Sequence, residues 1–168
     1  MLKRIRIAKI LGIVFFVLIT LNTCKVKNNS VDYIKLEIDQ SRRFVNNKVS
    51  IEITKEKFNY LIHIKSLPMF RKQEWEKTRI DTTFFIENKD LKQLSEEVVK
   101  LIKCDFSKSE VVGLDGASYS IKFRFEGKEK EYNIWSPNCD TEKRGLTHYL
   151  KVCELIVETV GLKTKEIL

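Results

Sequence analysis

Histidine, cysteine, proline and glycine are all scarce in this chain, and each scarcity removes a class of function. The two histidines, His63 and His148, have no partner at a metal-ligating spacing, and there is no H-E-x-x-H helix, C-x-x-C pair, phosphate loop or nucleophile elbow. No metal, cofactor or common catalytic signature is expected. The two prolines, Pro68 and Pro137, fall at the ends of predicted elements, and no internal repeat, low-complexity tract or linker divides the chain. An excess of one charge is also slight. Of the 31 basic residues four precede Ile10, and beyond the leader 27 basic face 23 acidic residues, a balance of +4 rather than the +8 of the whole chain. That favours solubility and is far from a nucleic-acid footprint, so no nucleic acid is expected as a partner.

Long hydrophobic runs are missing too. The one apolar run, Ile10 to Leu21, is twelve residues long, whereas a helix needs about 20 to cross a bilayer. Lys3, Arg4, Arg6 and Lys9 precede this run, and basic-then-apolar order at an N-terminus is the export pattern. The run ends at Leu21-Asn22-Thr23-Cys24, which resembles the lipobox of bacterial lipoproteins and, in its looser form, of Bacteroidota lipoproteins. That resemblance implies cleavage before Cys24 and acyl chains on its thiol. Two or three chains hold a protein to a membrane stably, each buried methylene contributing about 0.8 kcal/mol. The rival readings are an uncleaved signal anchor and an ordinary signal peptide with an incidental Cys24.

The expected organisation is a signal peptide over 1–23, a lipidated cysteine and flexible tether over 24–32, and one domain over 33–168. The 145 residues left after cleavage suit one core. Some Bacteroidota lipoproteins carry at this point an acidic cluster that resembles an address for the outer cell surface; lysines follow Cys24 here, so what the resemblance implies is an outer-membrane location facing the periplasm.

Within the domain, period-two alternation predicts strands at 33–38, 48–54, 58–65, 80–86, 119–125 and 130–135, with Phe58 counted on a strand face. Asn46-Asn47 reads as a turn, and a turn at Glu126-Gly127 joins the last two strands. Leu91, Leu94, Val98, Leu101 and Ile102 form a helical stripe over 89–103, with Asn88 as its N-cap. A second stripe from about Thr141, through Leu146, Tyr149, Cys153 and Val157 to Val160, ends at Gly161, a C-cap glycine. Short hairpins and two single-faced helices predict an α+β domain: an antiparallel sheet of about six strands with both helices on one face and the other partly wet. A signal helix precedes it.

Besides Cys24 there are Cys104, Cys139 and Cys153, enough for at most one disulfide. Cys139 and Cys153 flank most of a helix, which holds them farther apart than the roughly 7 Å a disulfide spans. Pairing Cys104 with Cys153 requires the two helices side by side; otherwise these are small buried apolar side chains. Cys139, beside Asp140 near a predicted helix start, is a weak candidate nucleophile.

Leu114-Asp115-Gly116-Ala117-Ser118-Tyr119, with Trp135-Ser136-Pro137-Asn138 and an amphipathic closing helix, resembles a group of small uncharacterised Bacteroidota lipoproteins carrying D-G-x-x-Y and W-S-P-N motifs. The likeness implies location and fold class, not chemistry. Candidate ligand or partner contacts are Arg71 and Trp75 in the loop after Pro68, together with Asp115, Trp135 and Asn138, although Asp-Gly is chiefly a turn and a tryptophan chiefly fills a core. Three functional classes are expected, in this order. The first is a lipid-anchored, non-catalytic binding module for an envelope protein or glycan, of which an inhibitor or immunity protein is one version. The second is a lipid-anchored hydrolase using Asp115, Asp140 and His148, and the third a structural subunit of an envelope assembly.

Overall fold

The computed structural model describes residues 31–41, 43, 45–70, 79–111, 113 and 115–168. The expected leader and signal helix, Cys24, and the candidate contacts Arg71 and Trp75 lie outside the described residues. Among the described residues no helix is long and apolar enough to cross a membrane.

Six strands, β1 (Val31–Gln40), β2 (Lys48–Glu56), β3 (Asn59–Leu67), β4 (Ile80–Glu87), β5 (Ala117–Phe125) and β6 (Lys128–Trp135), form one sheet. Their order is β4-β3-β2-β1-β5-β6, and every neighbouring pair is antiparallel. The first four strands meander away from β1. The chain then returns through helix α1 (Lys92–Lys100), bracketed by 3-10 turns at Asn88–Leu91 and Leu101–Lys103, and inserts β5 against the free side of β1. Helix α2 (Thr147–Thr159) and a single turn, α3 (Thr164–Ile167), complete the fold. The expected α+β class and six-stranded antiparallel sheet are therefore present.

Alternation explains the two faces. Ile34, Leu36 and Ile38 of β1 stand opposite Ile53, Ile51 and Val49 on one side and Phe123, Ile121 and Tyr119 on the other, and all nine are buried. Leu94 and Val98 of α1 and Val152, Cys153, Ile156 and Val157 of α2 join the same core. Burying one such side chain contributes about 1.5–3 kcal/mol, so this face supplies most of the stability. Tyr149 adds direction: its hydroxyl donates to the Tyr119 carbonyl at 2.7 Å, pinning α2 to β5. Burial holds this phenol protonated far above its ordinary range, and pushes the Tyr119 phenol up to about 12.

Several local expectations are corrected. Phe58 is not on a strand face but in the two-residue turn between Glu56 and Asn59, 87 % exposed. Asn88 opens a 3-10 turn rather than capping a helix, and α1 proper starts only after Leu91. The closing helix begins at Thr147, not near Thr141, because Gly145 adopts a φ of +69° and ends the preceding turns. Cys139 therefore sits in an exposed turn away from any helix start and lacks the dipole that favours a thiolate. β1 starts at Val31, fully buried, two residues before the expected boundary. The Gly161 cap is as expected: its N–H bonds the Glu158 carbonyl, and that of Leu162 bonds Val157. Cys104, Cys139 and Cys153 are free thiols, with Cys153 wholly buried.

Candidate functional site

Among the described residues nothing covers the face of the sheet away from the helices, and its residues follow from the same alternation. β1 presents Tyr33, Lys35, Glu37 and Asp39; β2 presents Lys48, Ser50, Glu52 and Thr54 in register with them. β3 adds Leu61, His63 and Lys65, while β5 adds Ser118, Ser120, Lys122 and Arg124 on the other side. Opposite charges alternate across this surface. Lys35 Nζ lies 2.9 Å from Glu37, Lys48 2.9 Å from Asp39, and Glu129 takes both Lys122 and Arg124 at 2.9 Å. The Arg124 hydrogen bond is the main reason the Glu129 carboxyl titrates below its usual range, and the Glu37 hydrogen bond raises Lys35. His63 Nε2 is 3.2 Å from Asp81, whose carboxyl is lowered chiefly by that bond.

Two shallow depressions lie on this face. The larger, about 340 Å³, is lined by the polar Ser50, Ser118, Ser120 and Asn133, by the charged Glu37, Asp39, Lys48 and Lys65, and by Ile38, Val49 and Leu67, so that much of its surface is apolar. The smaller, about 250 Å³, is formed by Glu52, Thr54, Leu61, His63 and Thr83. The larger one draws on β1, β2, β3, β5 and β6. Its hydroxyls, amide and carboxylates offer closely spaced donors and acceptors, and such groups recognise a hydroxylated or otherwise polar ligand by direct hydrogen bonds.

Trp135 closes the row that runs through Ser118 and Asp39. Its ring is half-buried beneath a loop whose two glycines touch it. A Cβ on Gly113 would come within 2.3 Å of the indole, and one on Gly116 within 2.5 Å of the indole and 2.3 Å of Ser136 Oγ. Ser136, at a φ of +41°, bonds the Ala117 carbonyl through its N–H at 2.6 Å and accepts the Ala117 N–H on its Oγ at 3.2 Å. The D-G-x-x-Y and W-S-P-N motifs are thus two sides of one corner. Pro137 is buried within it, while Asp115 and Asn138 are exposed on its surface.

The corner is clamped by a residue to which no sequence signal points. Arg144, 6 % exposed, donates from Nη1 to the carbonyls of Ser136 (2.7 Å) and Cys139 (3.0 Å), and from Nη2 to those of Trp135 and Ser109 (both 2.8 Å). Its Nε is buried without a partner among the described residues. In the sequence it is one more cation in Thr141-Glu142-Lys143-Arg144, indistinguishable from its solvated neighbour. Ser50, Ser120 and Asn133 were equally anonymous, since alternation marks a wet face but not which wet residues meet.

Two of the three residues of the hydrolase reading, His148 and Asp140, are engaged separately. His148 Nε2 lies 3.0 Å from the Glu97 carbonyl and its Nδ1 3.6 Å from the Glu97 carboxylate, joining α2 to α1. Asp140 pairs with Lys143 at 3.3 Å in a left-handed turn. Asp115 sits in the bend beside Gly116, whose N–H donates to Ser41 Oγ at 3.0 Å. Among the described residues no group of three or more histidine, cysteine or acidic side chains could hold a metal ion. No protein-family model matches this chain, and no curated protein matches it.

Proposed function

We propose that this chain is a lipid-anchored binding module of the cell envelope, without chemistry of its own, that holds a polar envelope glycan on the open face of its sheet. The observation that carries the reading is the larger depression, where hydroxyl, amide and carboxylate groups from four strands, β1, β2, β5 and β6, meet beside the apolar surface of Ile38, Val49 and Leu67. Sugar hydroxyls act as donors and acceptors together while the ring carbons present apolar C–H faces, and a lining that sets hydrogen-bonding groups beside apolar surface suits both. The separate engagement of His148 with Glu97 and Asp140 with Lys143 speaks against the hydrolase alternative. Anchoring rests on the resemblance of Leu21-Asn22-Thr23-Cys24 to a lipobox, with an outer-membrane, periplasm-facing location.

Both halves are testable on the full chain. Cells producing the wild type and Cys24→Ala are labelled with radioactive palmitate and fractionated; label and membrane association are expected in the wild type alone. Label-free wild type would remove the anchor from the proposal. The purified chain is then applied to an array of peptidoglycan fragments and outer-membrane polysaccharides beside Ser120→Arg, which fills the depression. Loss of a wild-type signal in that variant supports the site. Equal signals, or none from either protein, remove the glycan reading.

A further inference from the structure

Among the described residues the sheet ends in two edges, β4 and β6, and they are built differently. β6 opens with Lys128-Glu129-Lys130-Glu131, an alternation of charges that discourages another strand from pairing. β4 carries charge only toward its ends. Between Asp81 and Glu87 it runs Thr82-Thr83-Phe84-Phe85-Ile86, five uncharged residues of high strand propensity. Phe85 is 62 % exposed on the open face, while Ile80, Phe84 and Ile86 continue the core on the helix face and are only partly covered. The apolar layer therefore reaches this edge unfinished.

We propose that β4 pairs antiparallel with β4 of a second copy, about a twofold axis normal to the sheet, making one continuous sheet through both domains. Opposed residues in such a pair point to the same side, so the register must match even positions with even and odd with odd. Two registers then overlap nearly the whole strand. One sets Asp81 against Glu87 at both ends, like charges facing each other. The other sets Thr83 against itself, Ile80 against Ile86, Thr82 against Phe84 and Arg79 against Glu87. It joins apolar side chains across the helix face and places opposite charges at both ends, each contact occurring twice by symmetry. This second register is the one proposed. Arg79 now lies 3.6 Å from Asp81, and Glu87 2.8 Å from Lys89. Both pairs are exposed, so exchanging partners costs little. This pairing does not depend on the glycan reading or on the anchor.

The test uses the full chain, in cells and purified in detergent, with Cys139→Ser removing the exposed native thiol. Thr83→Cys is oxidised in parallel with Lys130→Cys on the other edge. Directly opposed residues of an antiparallel pair have Cα atoms about 4.5–5.5 Å apart, within disulfide reach. A crosslinked dimer is expected from Thr83→Cys and not from Lys130→Cys. By sedimentation, Arg79→Glu weakens the dimer about tenfold or more, because symmetry doubles each altered pair, and Arg79→Glu with Glu87→Arg regains it. Equal crosslinking at the two edges, or a wild type that stays monomeric at about 100 μM, overturns the proposal. A dimer indifferent to both charge reversals overturns the register. Circular dichroism confirms that each variant is folded, and the wild-type sedimentation decides the question even if one is not.

Discussion

The two faces of the sheet come from the same six strands, yet they carry opposite duties. Along β1, Leu36 is sealed under the helices while Lys35 and Glu37 on either side lie on the open face. On the covered face stability comes from apolar area, and any loss of volume leaves a hole. On the open face each charge has a neighbour of opposite sign in high dielectric, where such pairs contribute roughly 0–1 kcal/mol each. A protein divided in this way can change its open face without endangering its fold, which is what a binding surface needs.

The largest expected effect lies on the covered face. Phe123→Ala removes a fully buried ring opposite Ile34, and denaturant unfolding should show a loss of about 3–5 kcal/mol. A loss below about 1 kcal/mol would mean that the layer collapses around the gap. Next comes the corner. Gly116→Ala drives a Cβ into the Trp135 ring and Ser136, and should cost about 1–3 kcal/mol and shift tryptophan fluorescence; an unchanged melting point and spectrum would contradict that packing.

A smaller effect tests the junction of α1 and α2. The Glu97 carboxyl is lowered, first by its hydrogen bond from Lys100 at 2.6 Å, with Lys151 also nearby. Its contribution to stability is therefore complete above its unfolded value of about 4.3 and is lost as pH falls through the lower folded value. Glu97→Gln should lower the urea midpoint at pH 7, and the gap should narrow as the pH is taken down through the carboxylate range; a constant gap would assign the loss to shape rather than charge. Smallest is Glu37→Gln on the open face, which breaks the pair with Lys35 and should change the unfolding free energy by no more than about 1 kcal/mol. A larger loss would erase the distinction between the faces.

Much of this division was legible residue by residue. The alternation of Ile34-Leu36-Ile38, Val49-Ile51-Ile53 and Ile121-Phe123 places each side chain on its face without knowledge of any partner. Gly127 and Gly161 announce their turns because glycine takes a positive φ without steric cost. Phe58 was misplaced for an instructive reason. Its spacing continues the strand pattern, but pairing of Glu56 with Asn59 leaves it at the tip, and the pairing is not a local property. The start of α2 was misplaced similarly, since the stripe runs on through Leu146 while Gly145 and the inward Arg144 end the helix behind it.

The candidate site was hardly legible. Asp115, Trp135 and Asn138 stand in the sequence as candidate ligand or partner contacts, and Trp135 belongs to a packed corner whose partners, Gly113 and Arg144, carry no local signal. Gln40 is a further case: a polar strand end in the sequence, it is buried where its amide donates to the Ile167 carbonyl at 2.6 Å, 127 positions away.

Sequence alone determined the parity of each strand, the amphipathic stripes of the helices and the turns that need glycine, because these depend on backbone geometry within a few residues. Tertiary structure decided the rest. The insertion of β5 beside β1, the meeting of Ser50, Ser120 and Asn133 at one depression, and the burial of Arg144 among four carbonyls all depend on hydrogen bonds between distant segments. Local periodicity cannot encode such adjacency, since the same alternation would satisfy any order of strands that kept the apolar face covered.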